Sequence, residues 1–257
     1  MNESMKEHLV KALKSDVRYD SRKKDTFRDV KVEYGVSANA EGSARVTIGD
    51  TVVIAGVKLN LATPYADSPN KGTFMVNAEL LPMSNGRFES GPPSIESIEI
   101  ARVIDRGIRE AEAIDVEKLC IAPGEKVWGV SVDIIPINAA GNLMDAAGLA
   151  VLAALKNTKY PKILEDGSVS YKEHTEETLT LTKEPIPVTV HKIADQMLVD
   201  PTEDEEFAAT ARLTVASISD STLCAMQKGG EESLSIDEID GMVSLALAKA
   251  KELRGAL

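Results

Sequence analysis

Three arginines, Arg102, Arg106 and Arg109, stand at spacings i, i+4 and i+7. On an α-helix, at about 100° per residue, they share an arc of about 60°. A guanidinium is a planar fork that donates paired hydrogen bonds, so three on one face make a stripe suited to phosphate. The same segment offers each of them a carboxylate at helical neighbour spacing: Glu99 for Arg102, Asp105 for Arg109 and Glu110 for Arg106. An ion-laced solvent face therefore stands beside the phosphate reading, and it is the commoner arrangement. Three arginines without a lysine, in an acidic chain, keep the phosphate reading open.

A second feature is the run Gly141-Asn142-Leu143-Met144-Asp145. It follows an apolar, strand-like stretch at 127–137 and opens a helix of small residues at 145–155. A helix start after a glycine favours anions, because several backbone N–H groups are free and the helix dipole adds positive potential. Sites of this kind normally add a cationic or hydroxylic side chain, but here Asn142 and Leu143 take those places. The frame of a phosphate site is present without the side chains that grip phosphate, as expected of a subunit that keeps an enzyme's fold without its chemistry.

Other candidates are weaker. His8, His174 and His191 sit on separate segments with neither metal spacing nor a triad, so surface or half-buried positions are expected. The acidic run at 199–206 reads as a solvated loop, with a divalent-cation site or a general acid as the rarer alternatives. No Walker A or G-x-G-x-x-G sequence occurs. Cys120 and Cys224 are far apart and outside any C-x-x-C pair, which predicts two buried thiols in a reducing compartment. Trp128, inside a strand pattern, is expected in the core. No metal or cofactor is expected.

The elements that must position these residues follow from the hydrophobic pattern. A helix is expected at 3–14, with Met5, Leu9 and Leu13 on one stripe, followed by a polar segment. Strands are expected at 30–36, 43–48, 51–61 and 73–81, with a Gly49-Asp50 hairpin turn. Ser94 caps a long helix at 95–114, whose Ile100, Ile104, Ile108 and Ala111 oppose the arginines. A polar hairpin arm at 160–181 turns at Asp166-Gly167. Strands at 186–193, 196–199, 211–217 and 222–226 precede a last helix at 235–253. That helix opens on a Ser235/Glu238 capping box and carries the stripe Ile239, Val243, Leu247 and Ala250. Strands then helices, twice over, predict an α+β fold of two related strand–helix halves packed together. The expected division is an N-terminal helix and arm at 1–28, a first half at 29–184 including the hairpin arm, and a second half at 185–257.

Composition limits the functions available. The chain has 257 residues, 43% hydrophobic and 27% charged, with a net charge of −12, which excludes wholesale disorder and a general nucleic-acid binder. A polyanion contact must come from a local basic cluster or a more basic partner. Aromatic residues make up 4%, too few for an extended base-stacking platform. No apolar run is long enough to cross a bilayer, and the start has no signal-peptide core, so a cytoplasmic location without membrane contact is expected.

Several motifs, in order along the chain, resemble the RNase PH family. They are Arg18-Tyr19-Asp20-Ser21-Arg22, Gly42-Ser43-Ala44, Gly49-Asp50-Thr51-Val52-Val53 and Glu79-Leu80-Leu81-Pro82. Gly91-Pro92-Pro93, Ser97-Ile98-Glu99-Ile100-Ala101-Arg102 and Val199-Asp200-Pro201-Thr202-Glu203 continue the series. Within the family, the chain most resembles the non-catalytic RNase PH-like subunit of the archaeal exosome. Active members place Gly-Ser-Arg where this chain has Gly141-Asn142-Leu143, and two aspartates where it has Glu206 and Arg212. The resemblance therefore implies an RNase PH-like fold and no catalytic residue. It implies pairing with a catalytic RNase PH-like exosome subunit as a trimer of heterodimers, completing that partner's active site. The resulting ring, joined by RNA-binding cap proteins, would degrade single-stranded RNA from its 3′ end with phosphate. It implies RNA contacts at Arg102, Arg106 and Arg109. Two alternatives stand beside it: an active RNase PH-type phosphorolytic enzyme, and a purely structural ring protein.

Overall fold

A computed structural model describes residues 3–257; residues 1 and 2, the start of the expected N-terminal segment, lie outside the described residues. The elements run α1 (Glu3–Lys14), β1 (Val30–Tyr34), β2 (Gly42–Ile48), β3 (Thr51–Ala62), β4 (Thr73–Ala78), α2 (Ile95–Glu110), β5 (Cys120–Ala122), β6 (Lys126–Asn138) and α3 (Leu143–Lys156). They continue with β7 (Lys159–Ile163), β8 (Val169–Thr178), β9 (Ile186–Ile193), β10 (Gln196–Val199), α4 (Glu203–Ala208), β11 (Ala211–Ser217), β12 (Leu223–Gly230) and α5 (Ile236–Arg254).

Three sheets result. The larger has the order β1-β2-β3-β6-β4, with β5 also paired to β6. Only β4 runs parallel to its neighbour, because α2 lies between β4 and β6 in the chain and carries it back across the sheet. The second sheet, β10-β9-β11-β12, is antiparallel throughout, and β7 and β8 form the separate polar arm. Helix α3 packs on β2 and β3 on one side and on β9 on the other, while α5 covers the outer side of β9 and β11. A helix between two sheets must be apolar all round. Every residue of α3 from Leu143 to Leu155 is buried, and its many small side chains let both sheets approach closely.

The expected elements form, with instructive shifts. Helix α2 starts after the Ser94 cap, whose side chain accepts from the Ser97 N–H, and buries Ile100, Ile104 and Ile108. It stops at Glu110 rather than 114 because Glu112 turns left-handed (φ 51°), freeing Ile114 to bridge to Leu181. Strand β4 ends at Ala78, short of 81, and β12 runs on to Gly230 along the whole of β11. The buried face of α5 is Met242, Ala246, Ala250 and Leu253, one step round from the expected stripe; Ile239 and Val243 pack at its margin. Met5 lies on the outer side of α1, which buries Leu9 and Leu13. The two cysteines are free but only half-buried, whereas Trp128 is in the core, against the Tyr160 ring. No helix among the described residues is long and apolar enough to cross a membrane.

Candidate functional site

A cleft of about 390 Å³ opens where α2, the start of α3, the small sheet and α4 converge. Arg87, Glu96, Glu99, Leu143, Met144, Thr189, His191, Glu206, Phe207 and Arg212 line it. The two positions singled out in sequence as departures from the catalytic pattern, Glu206 and Arg212, are thus brought together beside Asn142–Leu143.

The helix start is built by a network that ties three distant segments. Asp200, fully buried, accepts from Arg22 Nη1 at 2.7 Å, from Arg28 Nε and Nη2 at 2.9 and 2.7 Å, and from Asn142 Nδ2 at 2.9 Å. Arg28 reaches on to the carbonyls of Ala140 and Gly141. Burial would raise the Asp200 carboxyl, but Arg28, helped by Asn142, holds it below its usual range. Behind it, Arg18 is 2% exposed and grips Glu205 through Nε at 2.9 Å and Nη2 at 2.6 Å. The acidic run is therefore no solvated loop. Asp200 and Glu205 are internal anions, and the residues from Glu203 form the short helix α4, held by a Thr202/Glu205 capping box. No cluster of three or more His, Cys, Asp or Glu side chains arranged for a metal occurs among the described residues. Gly141, at φ 89°, lets this loop pass against Pro201: a Cβ there would lie 2.4 Å from the Pro201 carbonyl oxygen.

The cleft's electrostatics are unlike those of a phosphate pocket. The Asn142 N–H, just ahead of α3, donates to Glu206 Oε1 at 3.1 Å. The chain's own carboxyl thus stands where an anion would sit. Burial pushes the Glu206 carboxyl up to about 7. Asp145, in the first turn of α3 and fully buried, is likewise pushed up to about 7 by burial, with Thr189 and Asn142 opposing only in part. His191, expected at a surface or half-buried position, is instead 3% exposed, because β9 is buried along its whole length. Desolvation, with Arg212 nearby, drops its imidazole to about 3, so it is neutral, and its Nδ1 has no partner.

Residues 26–161 match the family model described as 3′ exoribonuclease family, domain 1, and residues 183–249 match domain 2 of the same family. The chain belongs to the RNase PH family. It is 40% identical over 252 residues to the exosome complex component Rrp42 of Methanothermobacter thermautotrophicus, covering 98% of this chain and 93% of that one. To the Rrp42 component of Methanosarcina acetivorans it is 43% identical over 254 residues, covering 97% and 92%. A chain of the Archaeoglobus fulgidus exosome, solved with RNA bound to the active site, superposes with a TM-score of 0.92 at 41% identity, covering 98% of this chain and 97% of that chain. Rice Rrp46, at 18% identity and a TM-score of 0.69 over 93% and 97% of the two chains, shares the fold.

In this RNase PH-family chain the arginine stripe is exposed, and its three members differ. Arg109 is fastened by two hydrogen bonds to Asp105 (2.7 and 3.0 Å), by another to the Phe74 carbonyl, and by its position over the Phe74 ring. Arg106 pairs more loosely with Glu110 at 3.3 Å. Arg102 does not pair with Glu99, because Glu99 turns into the cleft and takes Arg212 at 2.5 Å. That leaves the Arg102 guanidinium free. Sequence reading missed Arg87, which pairs with Glu96 and lies over the rings of Phe88 and Phe207 at the cleft mouth. It also passed over Thr189 and His191 as a pair. Their period-2 placement, which puts both on one face of β9, was the available signal.

Proposed function

We propose that this chain is a non-catalytic, RNA-contacting ring subunit of an exosome-type 3′–5′ exoribonuclease that uses phosphate. Its likeness to exosome components over nearly the whole chain supports membership of such a complex. The observation that carries the non-catalytic reading is the carboxyl of Glu206 on the Asn142 N–H. Inorganic phosphate, the attacking group in phosphorolysis, would meet this carboxyl at the helix start, with the buried carboxyl of Asp145 in the same first turn. Of the two positions where active members carry aspartates, one is Glu206 and the other is Arg212, a cation paired with Glu99.

A fold kept without chemistry implies pairing with a catalytic RNase PH-like subunit, three pairs closing a ring that RNA-binding cap proteins crown. The assembly is expected in the cytoplasm. Single-stranded RNA is held by its phosphates beside the partner's active site, so sequence preference is weak. Arg102, unpaired, and Arg106, loosely paired, are the contacts. Arg109, committed to Asp105 and Phe74, flanks them and contributes by its charge.

The test is phosphorolysis of a short RNA by the purified chain alone, and then with its catalytic partner. The expected result is no nucleoside diphosphate from the chain alone, product from the pair, and a mass by light scattering of three heterodimers. Phosphate-dependent product from the chain alone, or a chain that stays monomeric in the partner's presence, refutes the reading.

A further inference from the structure

We propose that Tyr65 extends the RNA path beyond the arginine stripe, offering its aromatic ring as a stacking surface for one unpaired base. The inference rests on the RNA-contacting reading above and adds a contact of another kind, made to a base and not to a phosphate.

Tyr65 is 67% exposed, more than Tyr19, Tyr34, Tyr171 or Phe207. Most of those others are already occupied. The Tyr34 hydroxyl donates to the Leu257 carbonyl, Lys58 Nζ lies over the Tyr171 ring, and Arg87 lies over that of Phe207. Tyr19 stands beside α1. Among the described residues no cation and no second ring lies over Tyr65. Its backbone is held in place. It sits in the connection from β3 to β4, where the Ser68 N–H donates to the Tyr65 carbonyl at 3.0 Å. Further on, the Gly124 N–H donates to the Pro69 carbonyl at 2.7 Å, and the Gly72 N–H to that of Val116 at 2.8 Å. The exit of the loop is packed tightly, since a Cβ on Gly72 would lie 2.4 Å from Leu119 Cβ. A tyrosine on such a support has two side-chain torsions to fix, so holding its ring against a base costs little entropy.

Its position relative to the stripe is what gives the ring a use. Arg109 Nη2 donates to the carbonyl of Phe74, near the start of β4, and Tyr65 lies within electrostatic reach of the same guanidinium. Arg102 and Arg109 are seven residues apart, about 10 Å along the helix at about 1.5 Å per residue. That length matches about three nucleotides at a rise of about 3.4 Å each. Tyr65 therefore stands at the Arg109 end, where a strand leaving the stripe brings its next base over the ring. Every base has a π face, so such a contact is tolerant of sequence, in keeping with a strand held mainly by its phosphates. A base inside a duplex has its faces covered by its neighbours, so the ring favours unpaired strands.

The experiment uses the full chain assembled with its catalytic partner, an oligoadenylate probe, and buffer without phosphate, so that RNA binds without being consumed. Fluorescence anisotropy across a salt series compares the wild type with Tyr65→Ala and Tyr65→Phe. Tyr65→Ala is expected to weaken binding roughly 5–150-fold with the log–log salt slope unchanged, because a stacked base is lost and no phosphate contact. Tyr65→Phe keeps the ring and should bind as the wild type. A fluorescent adenine analogue placed in turn at each position of the probe should brighten at one of them in Tyr65→Ala. An assembled Tyr65→Ala complex that binds as the wild type overturns the proposal. So does a lowered salt slope, which makes Tyr65 an electrostatic prop for Arg109. A Tyr65→Phe complex as weak as Tyr65→Ala gives the effect to the hydroxyl and overturns stacking. A Tyr65→Ala chain that no longer assembles, by light scattering, puts the side chain in a subunit interface and overturns it too. A wild-type complex that binds no RNA would instead overturn the RNA-contacting reading.

Discussion

Asp145→Asn should remove about half of the stability loss that the two raised carboxyls, Asp145 and Glu206, impose on the wild type as pH rises towards neutrality. The Asp145 carboxyl is fully buried, and burial lifts it from 3.8 to about 7. A carboxyl whose folded value is raised holds its proton in the native state while the unfolded chain gives it up. Its penalty is absent below the unfolded value, grows between about pH 4 and 7, and is constant above. At about 1.36 kcal/mol per unit, a rise of roughly three units is worth about 4 kcal/mol at most. Between pH 5 and pH 8 the wild type should lose roughly 2–3 kcal/mol to this one group. Asparagine has nearly the same shape and cannot ionise, so the variant carries no such slope. Glu206, similarly raised, is present in both proteins and cancels from the comparison. Chemical denaturation of wild type and variant at half-unit steps from pH 5 to 8 reads the difference. The two stability curves should diverge up to about pH 7, with the variant gaining, and then keep a constant gap. Parallel curves would refute the assignment of a suppressed ionisation to Asp145.

Four further outcomes are expected. Arg18→Ala strands Glu205 in the interior and should cost about 3–5 kcal/mol in a denaturant titration. Arg102→Ala with Arg106→Ala should weaken RNA binding by the assembled complex and lower the log–log salt slope by about 0.7 per lost phosphate contact, measured by fluorescence anisotropy across a salt series. The same double variant should melt nearly as the wild type, since exposed helix pairs contribute only about 0.3–0.5 kcal/mol each. Leu152→Ala, inside the helix held between two sheets, should cost about 2–5 kcal/mol by the same titration.

What could be read from the sequence was local. Period-2 and period-3.6 patterns located most strands and four of the helices, because a half-buried element writes its burial into its own residues. The Ser94 and Ser235 caps were legible for the same reason: donor and acceptor lie three residues apart. The failures were long-range. Helix α4 has six residues, too few to stand alone, and exists because its capping box and the Arg18–Glu205 pair hold it. Local spacing offers Arg102 to Glu99, but the fold offers Arg212, and the fold wins. His191 looked peripheral because a histidine in a strand gives no sign of how many layers will cover it. Of the cleft, the helix start at Gly141–Leu143 was visible as a frame. Its occupant, Glu206, was not, because the two meet only after the small sheet has folded back.

The Asp200 network has a consequence for when the protein becomes whole. Arg22 and Arg28 bind a carboxylate that follows them by 178 and 172 residues, and Arg18 one that follows by 187. On the ribosome, at about 5–20 residues per second, the arm waits roughly 10–40 s for the anions that will fix it. Three arginines made early stay hydrated and uncommitted while the first sheet assembles behind them. They settle only when the segment from Asp200 to Glu205 has emerged, so a segment made early is among the last to lock. A synthesis that stops short of Asp200 yields a chain in which Arg18, Arg22 and Arg28 lack the carboxylates that hold them.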